Sequence, residues 1–306
     1  MLPSGGERTG LHTALGCAAV LIWSTCVGIS RSLTEGLGPM TAAAAMLLLG
    51  GGLGFAAAAA RGGALRRLRD VPRPYLFGCG SLFAVYMLSL YLAIGLAATR
   101  EEVLVVGIIN YLWPGLTLAF SIPLLHKRTG PLFVPGMAAA FAGTVFAAVV
   151  PGPATLSRLG AVLAENPAPY ALAFVAAVSW GLYSALSARW ASRAEGGAVP
   201  LFLLVSGALA LVLRFVLGEQ SHWTGRAVIE TIYMAVGPSL IAYAFWDAAL
   251  RRGRIVPVAS FSYLTPLFST AVSCVYLGIA PGWNLWVACA LVIGGAVLCG
   301  RSIRDR

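Results

Sequence analysis

Ten apolar stretches, each long enough to cross a bilayer, take up most of this chain. They cover residues 13–33, 40–60, 75–96, 103–125, 132–150, 170–190, 199–217, 228–250, 255–279 and 283–300, with short charged or Pro/Gly-rich breaks between them. About 20 apolar residues cross the hydrocarbon core as a helix. In lipid the backbone must satisfy its own hydrogen bonds, and a helix does so within one segment. The pattern therefore predicts an all-α membrane protein with ten transmembrane helices. Only 10% of the 306 residues are charged, against about 25% in soluble domains. The short breaks leave no room for a soluble domain.

In a soluble chain the net charge of +10 would suit a nucleic acid or another acidic partner. Its placement says otherwise. If ten spans alternate, sixteen of the 21 Lys and Arg fall on the side of the N-terminus and five on the other. Cytoplasmic loops hold such an excess, so both termini are predicted in the cytoplasm, the membrane is the inner (plasma) membrane, and no nucleic-acid partner is expected. The first stretch is too long for a cleavable signal, has only Arg8 ahead of it and ends without a small-residue cleavage site, so it is expected to remain.

The two halves repeat. Trp23 overlays Trp180 at an offset of 157, while Tyr91 overlays Tyr243, Asn110 overlays Ser262, Tyr111 overlays Tyr263 and Pro114 overlays Pro266 at 152. Residues 1–153 and 154–306 thus form two units of five spans. An odd number of crossings makes the second unit enter from the opposite side, giving two inverted five-helix repeats. Gly makes up 36 of 306 residues, which lets helix backbones approach closely where burial of apolar surface provides no drive for association. A run such as Gly136, Ala140 and Gly143 is a weak signal of this kind and sets no oligomeric state.

The inventory argues against an enzyme. His12, His126 and His222 lie in loops or at helix ends in separate regions, and no phosphate-binding GxxxxGK[ST] loop occurs. The six cysteines fall in apolar runs with no CxxC spacing and read as core residues. No metal or other cofactor is expected.

What stands near mid-membrane is aromatic and weakly polar. Asn110, Tyr111 and Trp113 lie within a turn of Pro114, and Ser262, Tyr263 and Thr265 precede Pro266. A proline inside a span removes a backbone hydrogen bond and frees a carbonyl about four residues earlier. Paired breaks at corresponding positions mark a transporter's binding site, the alternative being prolines that merely shape the packing. Trp23, followed by Ser24, and Trp180, followed by Tyr183, sit mid-span where lipid-facing tryptophans are uncommon. Trp190, Trp223, Trp283 and Trp286 near span ends read as interface anchors. Tyr86 and Ser260 complete the candidate lining. Asp247, the one clear charge within a span, lies four residues before Arg251. That spacing predicts an ion pair, with gating or proton coupling as the alternative.

The segments IWSTCVGISRSLTEGLGP (22–39) and VGIINYLWPGLT (106–117) resemble aromatic amino acid exporters of the YddG type, in the EamA branch of the drug/metabolite transporter (DMT) superfamily. The resemblance implies two inverted five-helix repeats around a central cavity lined by the first, third and fourth spans of each, and export of aromatic or other apolar amino acids. Carried over by position, Trp23, Tyr86, Tyr111, Trp113 and Trp180 match aromatic cavity positions of that family. Many members of the broader EamA group place a glutamate after the fourth and ninth spans, whereas this chain has LLHK and YLGIAP, a departure from that group and not from the YddG-type branch. The expectation is an exporter with an uncharged aromatic cavity and a small-molecule substrate. Rivals are export of other lipophilic metabolites or cations, or a membrane scaffold without transport.

Overall fold

The computed structural model describes residues 5–60, 70–98, 106–107, 109–148, 166–192, 197–265, 267–269, 272 and 283–304. Pro266 lies outside the described residues. Apart from one two-residue strand pair, the regular structure is helical: α1 (Gly5–Trp23), α2 (Cys26–Leu37), α3 (Pro39–Ala60), α4 (Pro74–Leu96), α5 (Trp113–Leu124), α6 (Phe133–Ala148), α7 (Pro167–Trp190), α8 (Val199–Leu217), α9 (Gly225–Arg252), α10 (Ile255–Ser262) and α11 (Trp283–Ser302). Among the described residues, α3, α4, α7, α8 and α9 are each long and apolar enough to cross a membrane. Wider π-type turns occupy Pro74–Cys79 in α4 and Ala235–Ala242 in α9.

Three stretches expected to be continuous are broken. The first is interrupted at Ser24–Thr25. There the Ser24 hydroxyl donates to the Val20 carbonyl at 2.8 Å and the Thr25 hydroxyl to the Ile22 carbonyl at 2.7 Å. These short side chains compete with the backbone for the same acceptors. The fourth is interrupted at Tyr111–Leu112, where the Leu112 amide bonds three residues back to the Ile109 carbonyl at 3.1 Å. Pro114 is therefore the second residue of α5 rather than a mid-helix kink. In the first turn an amide would lack a helical partner anyway, so proline costs nothing there. The same break recurs at Tyr263–Leu264, 152 residues after Tyr111.

Small residues seat the helices on one another. α3 lies against α8, and a methyl group on Gly51 would come within 2.9 Å of the Leu204 amide and the Pro200 carbonyl. α6 lies against α11, where a methyl on Gly295 would meet the Ala140 amide at 2.5 Å and the Gly136 carbonyl at 2.6 Å. The Gly136, Ala140 and Gly143 run thus serves a contact within the chain. α4 packs on α7, α1 on α9, and α5 on both α7 and α10.

The two ends of the bundle differ. At one, the Arg254 amide donates to the Thr13 hydroxyl at 3.1 Å, and β1 (Arg128–Thr129) pairs antiparallel with β2 (Ile303–Arg304). This end gathers the starts of α1 and α6 and the ends of α9 and α11. At the other, the Glu219 carboxylate accepts from the amides of Met40 and Thr41 at 2.9 and 2.8 Å and from the Thr41 hydroxyl at 2.8 Å. It caps the N-terminus of α3, where a negative charge is favoured. Arg214 Nε donates to the same Thr41 hydroxyl at 2.8 Å, and the His222 amide to the Gly36 carbonyl at 3.0 Å.

Candidate functional site

The breaks at Ser24–Thr25 and Tyr111–Leu112 leave Trp23 as the last residue of α1 and Trp113 as the first of α5. Both rings converge on Trp180 from the middle of α7. Trp23 meets Trp180 edge-on at 5.6 Å between centroids and Trp113 at 6.5 Å, and Trp113 meets Trp180 edge-on at 6.3 Å. α9 adds Trp246, 5.4 Å from Trp23 and 5.2 Å from Trp113, and Tyr243, 5.1 Å from Trp23. On the α4 side, Tyr86 lies 4.6 Å from Trp180 and Phe83 5.0 Å from Tyr243. Tyr183 lies 4.9 Å from Trp180. Two indoles have fixed partners. Trp23 Nε1 donates to the Pro238 carbonyl at 3.1 Å, inside the π-type turn of α9, and Trp246 Nε1 to the Ser184 hydroxyl at 3.2 Å. Each edge-to-face pair adds about 0.5–1.5 kcal/mol beyond burial.

Next to the rings, toward the end where α9 finishes, is a buried charged network. Asp247 Oδ2 accepts from Arg251 Nε at 2.8 Å, with both side chains buried. Asp247 Oδ1 accepts from the Tyr75 hydroxyl at 2.6 Å and from the Tyr183 hydroxyl at 3.4 Å. The Ala198 amide donates to the Tyr75 oxygen at 3.3 Å. One carboxylate thereby ties α4, α7 and α9 together, and Tyr183 belongs both to this network and to the ring cluster.

A cavity of about 640 Å³ lies beyond the network, among the ends of α5, α7 and α9, the start of α10 and one side of α11. Arg251, Arg254 and Lys127 contribute basic groups, while Val256, Phe261 and Ile293 supply apolar wall.

The structure brings Trp23, Tyr86, Trp113, Trp180 and Tyr183 into one cluster. The rings fill the space between the helices by packing on one another, whereas an open aromatic-walled cavity was expected. Edge-to-face contacts and the exclusion of water both favour that closure. Ser24 is buried and its hydroxyl is committed to its own helix. Tyr111 is half-buried at the break before α5. Tyr263 belongs to a separate core with Leu118 and Phe133, its hydroxyl beside Gly115. Of the expected lining, Ser260 borders the 640 Å³ cavity. Asn110 Oδ1 and the hydroxyls of Ser260 and Tyr263 are buried with no hydrogen-bond partner among the described residues. No group of three or more His, Cys, Asp or Glu among those residues is placed to hold a metal ion.

Sequence reasoning missed Trp246, Tyr243, Phe83 and Tyr75 as members of these groups. Tyr243 overlays Tyr91 in the repeat and Trp246 lies three residues on, so both fall on one helical face, and that signal was readable. Phe83 and Tyr75 carry no such mark.

Comparison with known proteins adds the following. The EamA-like transporter family matches residues 11–149 and 168–301. The "Aromatic amino acid exporter YddG" of Escherichia coli (strain K12) is 31% identical over 95% of this chain and 97% of its own length. The protein of the same name from Salmonella typhimurium (strain 14028s / SGSC 2262) is 32% identical over 96% and 98%. A solved crystal structure superimposes with a TM-score of 0.79 at 32% identity, covering 95% of this chain and 98% of its own.

Proposed function

The chain belongs to the EamA-like transporter family, and on that premise we propose that it exports aromatic and other apolar amino acids across the inner membrane by alternating access. The observation that carries this reading is the tryptophan cluster assembled from α1, α5, α7 and α9. An aromatic side chain that enters such a cluster replaces ring–ring contacts with contacts of the same kind, so opening the rings costs it little. A purely aliphatic or polar solute has no such compensation. The substrate's ammonium gains about 0.5–2 kcal/mol from a ring face. The names of the curated relatives point to the same substrate class.

The architecture in this reading is ten transmembrane helices in two inverted five-helix repeats, residues 1–153 and 154–306, with both termini cytoplasmic. The helix pairings support it. If spans one to five exchange with six to ten, the α1–α9 contact becomes the α7–α4 contact, and the α5–α7 contact becomes the α10–α1 contact. α3–α8, α6–α11 and α5–α10 map onto themselves. The matched interruptions at Tyr111–Leu112 and Tyr263–Leu264 obey the same exchange. Pro114 and Pro266 stand three residues after those tyrosines and are hinge candidates in this scheme. The closed ring cluster is the barrier that helix movement would open.

Counterflow of labelled phenylalanine in liposomes holding the purified protein, with and without a pH gradient, tests the reading. Trp113→Ala combined with Trp180→Ala is expected to cut flux about tenfold or more, as losing two ring contacts would. Undiminished flux, or no phenylalanine flux by the unaltered protein, overturns it.

A further inference from the structure

The 640 Å³ cavity takes no part in the ring cluster, yet its walls are built for an amphipathic ligand. Its lining runs from the exposed Arg254 to Ser260, which is 7% exposed and whose hydroxyl has no hydrogen-bond partner among the described residues. Arg251 enters from the side with its Nε held by Asp247, so its guanidinium is fixed in place before any ligand arrives. Lys127 adds a third basic group. Among the described residues the lining contains no Asp or Glu, and Asp247 is turned to Arg251 and Tyr75. Apolar lining comes from Val256, Phe261 and Leu264 in and just after α10 and from Ile293 of α11.

We propose that this cavity is an entry subsite that captures the substrate by its carboxylate. Arginine's fork of donors matches a carboxylate. Arg251 and Arg254 take that group, and the apolar walls take the side chain. The proposal rests on the amino acid export reading and deepens it. The basic end where the cavity lies is the cytoplasmic end in that reading, so an exported amino acid meets the subsite before the ring cluster. Because the described residues of the lining offer no acidic partner for an ammonium, the subsite reads the carboxylate and ignores the amine.

The test measures binding of labelled phenylalanine to the purified full-length protein in detergent, with 3-phenylpropionate, which lacks the amine, and phenethylamine, which lacks the carboxylate, as competitors. 3-Phenylpropionate is expected to compete within about tenfold of phenylalanine and phenethylamine about tenfold or more weaker than that, the usual difference for one charge-assisted contact. Arg254→Gln is expected to weaken 3-phenylpropionate competition several-fold, and Arg251→Lys, which keeps the charge but loses the fork, to do the same. Equal competition by the two analogues, or variants that leave competition unchanged, overturns the proposal. So does displacement of 3-phenylpropionate by added phosphatidylglycerol at low molar excess, which assigns the cavity to a lipid headgroup. Either failure leaves the export reading standing if phenylalanine counterflow still depends on Trp113 and Trp180, whereas loss of that dependence refutes export independently.

Discussion

Removing the Asp247 carboxylate tests how the buried network holds the bundle together. Asp247 is 1% exposed and Arg251 8%. Their contact at 2.8 Å is accompanied by the Tyr75 hydroxyl at 2.6 Å. Asp247→Ala takes the carboxylate away from a buried guanidinium, and breaking such a pair from one side costs about 3–5 kcal/mol. It also strands the Tyr75 hydroxyl, so the upper part of that range is the expectation. At about 2 °C per kcal/mol for a chain of this size, thermal unfolding in detergent, followed by loss of monodisperse protein, should fall by about 6–10 °C. Replacing both charges with apolar residues of similar bulk, Asp247→Leu with Arg251→Met, removes attraction and desolvation penalty together. The double variant should therefore recover most of the loss, to within about 2 kcal/mol of the unaltered protein. A double variant as unstable as Asp247→Ala alone would refute this, because the loss would then come from packing and not from an uncompensated charge. A single variant shifted by less than about 1 °C would show that the pair is solvated and the network unimportant.

Neighbouring glycines in α3 separate contact from helix propensity. Gly51→Leu, aimed at the Leu204 amide and Pro200 carbonyl, should abolish recovery of folded protein, while Gly52→Leu, with nothing within 4 Å, should be recovered normally; equal yields would contradict the α3–α8 packing. At the other end, Glu219→Ala removes the acceptor of three hydrogen bonds from Met40 and Thr41 and should cost about 1–3 kcal/mol. Amide exchange at residues 38–44 should accelerate while that of α7 is unchanged, and uniform acceleration would contradict a local cap.

Much of this was readable before any coordinates. Asp247 and Arg251 are four residues apart on one helix, and that spacing alone brings them together, as the 2.8 Å contact shows. The spacing gave no hint of Tyr75, which reaches the same carboxylate from α4, 172 residues away. Trp23 and Trp180 were singled out by matched positions, but nothing linear said that they touch, or that Trp246 and Phe83 stand with them. Pro114 suggested an interruption inside a span, whereas its place in the first turn of α5 came from Tyr111 and Leu112 leaving the helix before it.

The linear order of residues by itself determined that the chain is helical and apolar and which charges pair along one helix. These follow from periodicity and hydropathy, which act over a few turns. Only the tertiary structure decided that the tryptophans close on one another and that a basic, amphipathic cavity lies beyond them. Those depend on how closely glycine and alanine let separate helices approach, and lipid, being as apolar as the side chains, leaves that choice to the fit between surfaces.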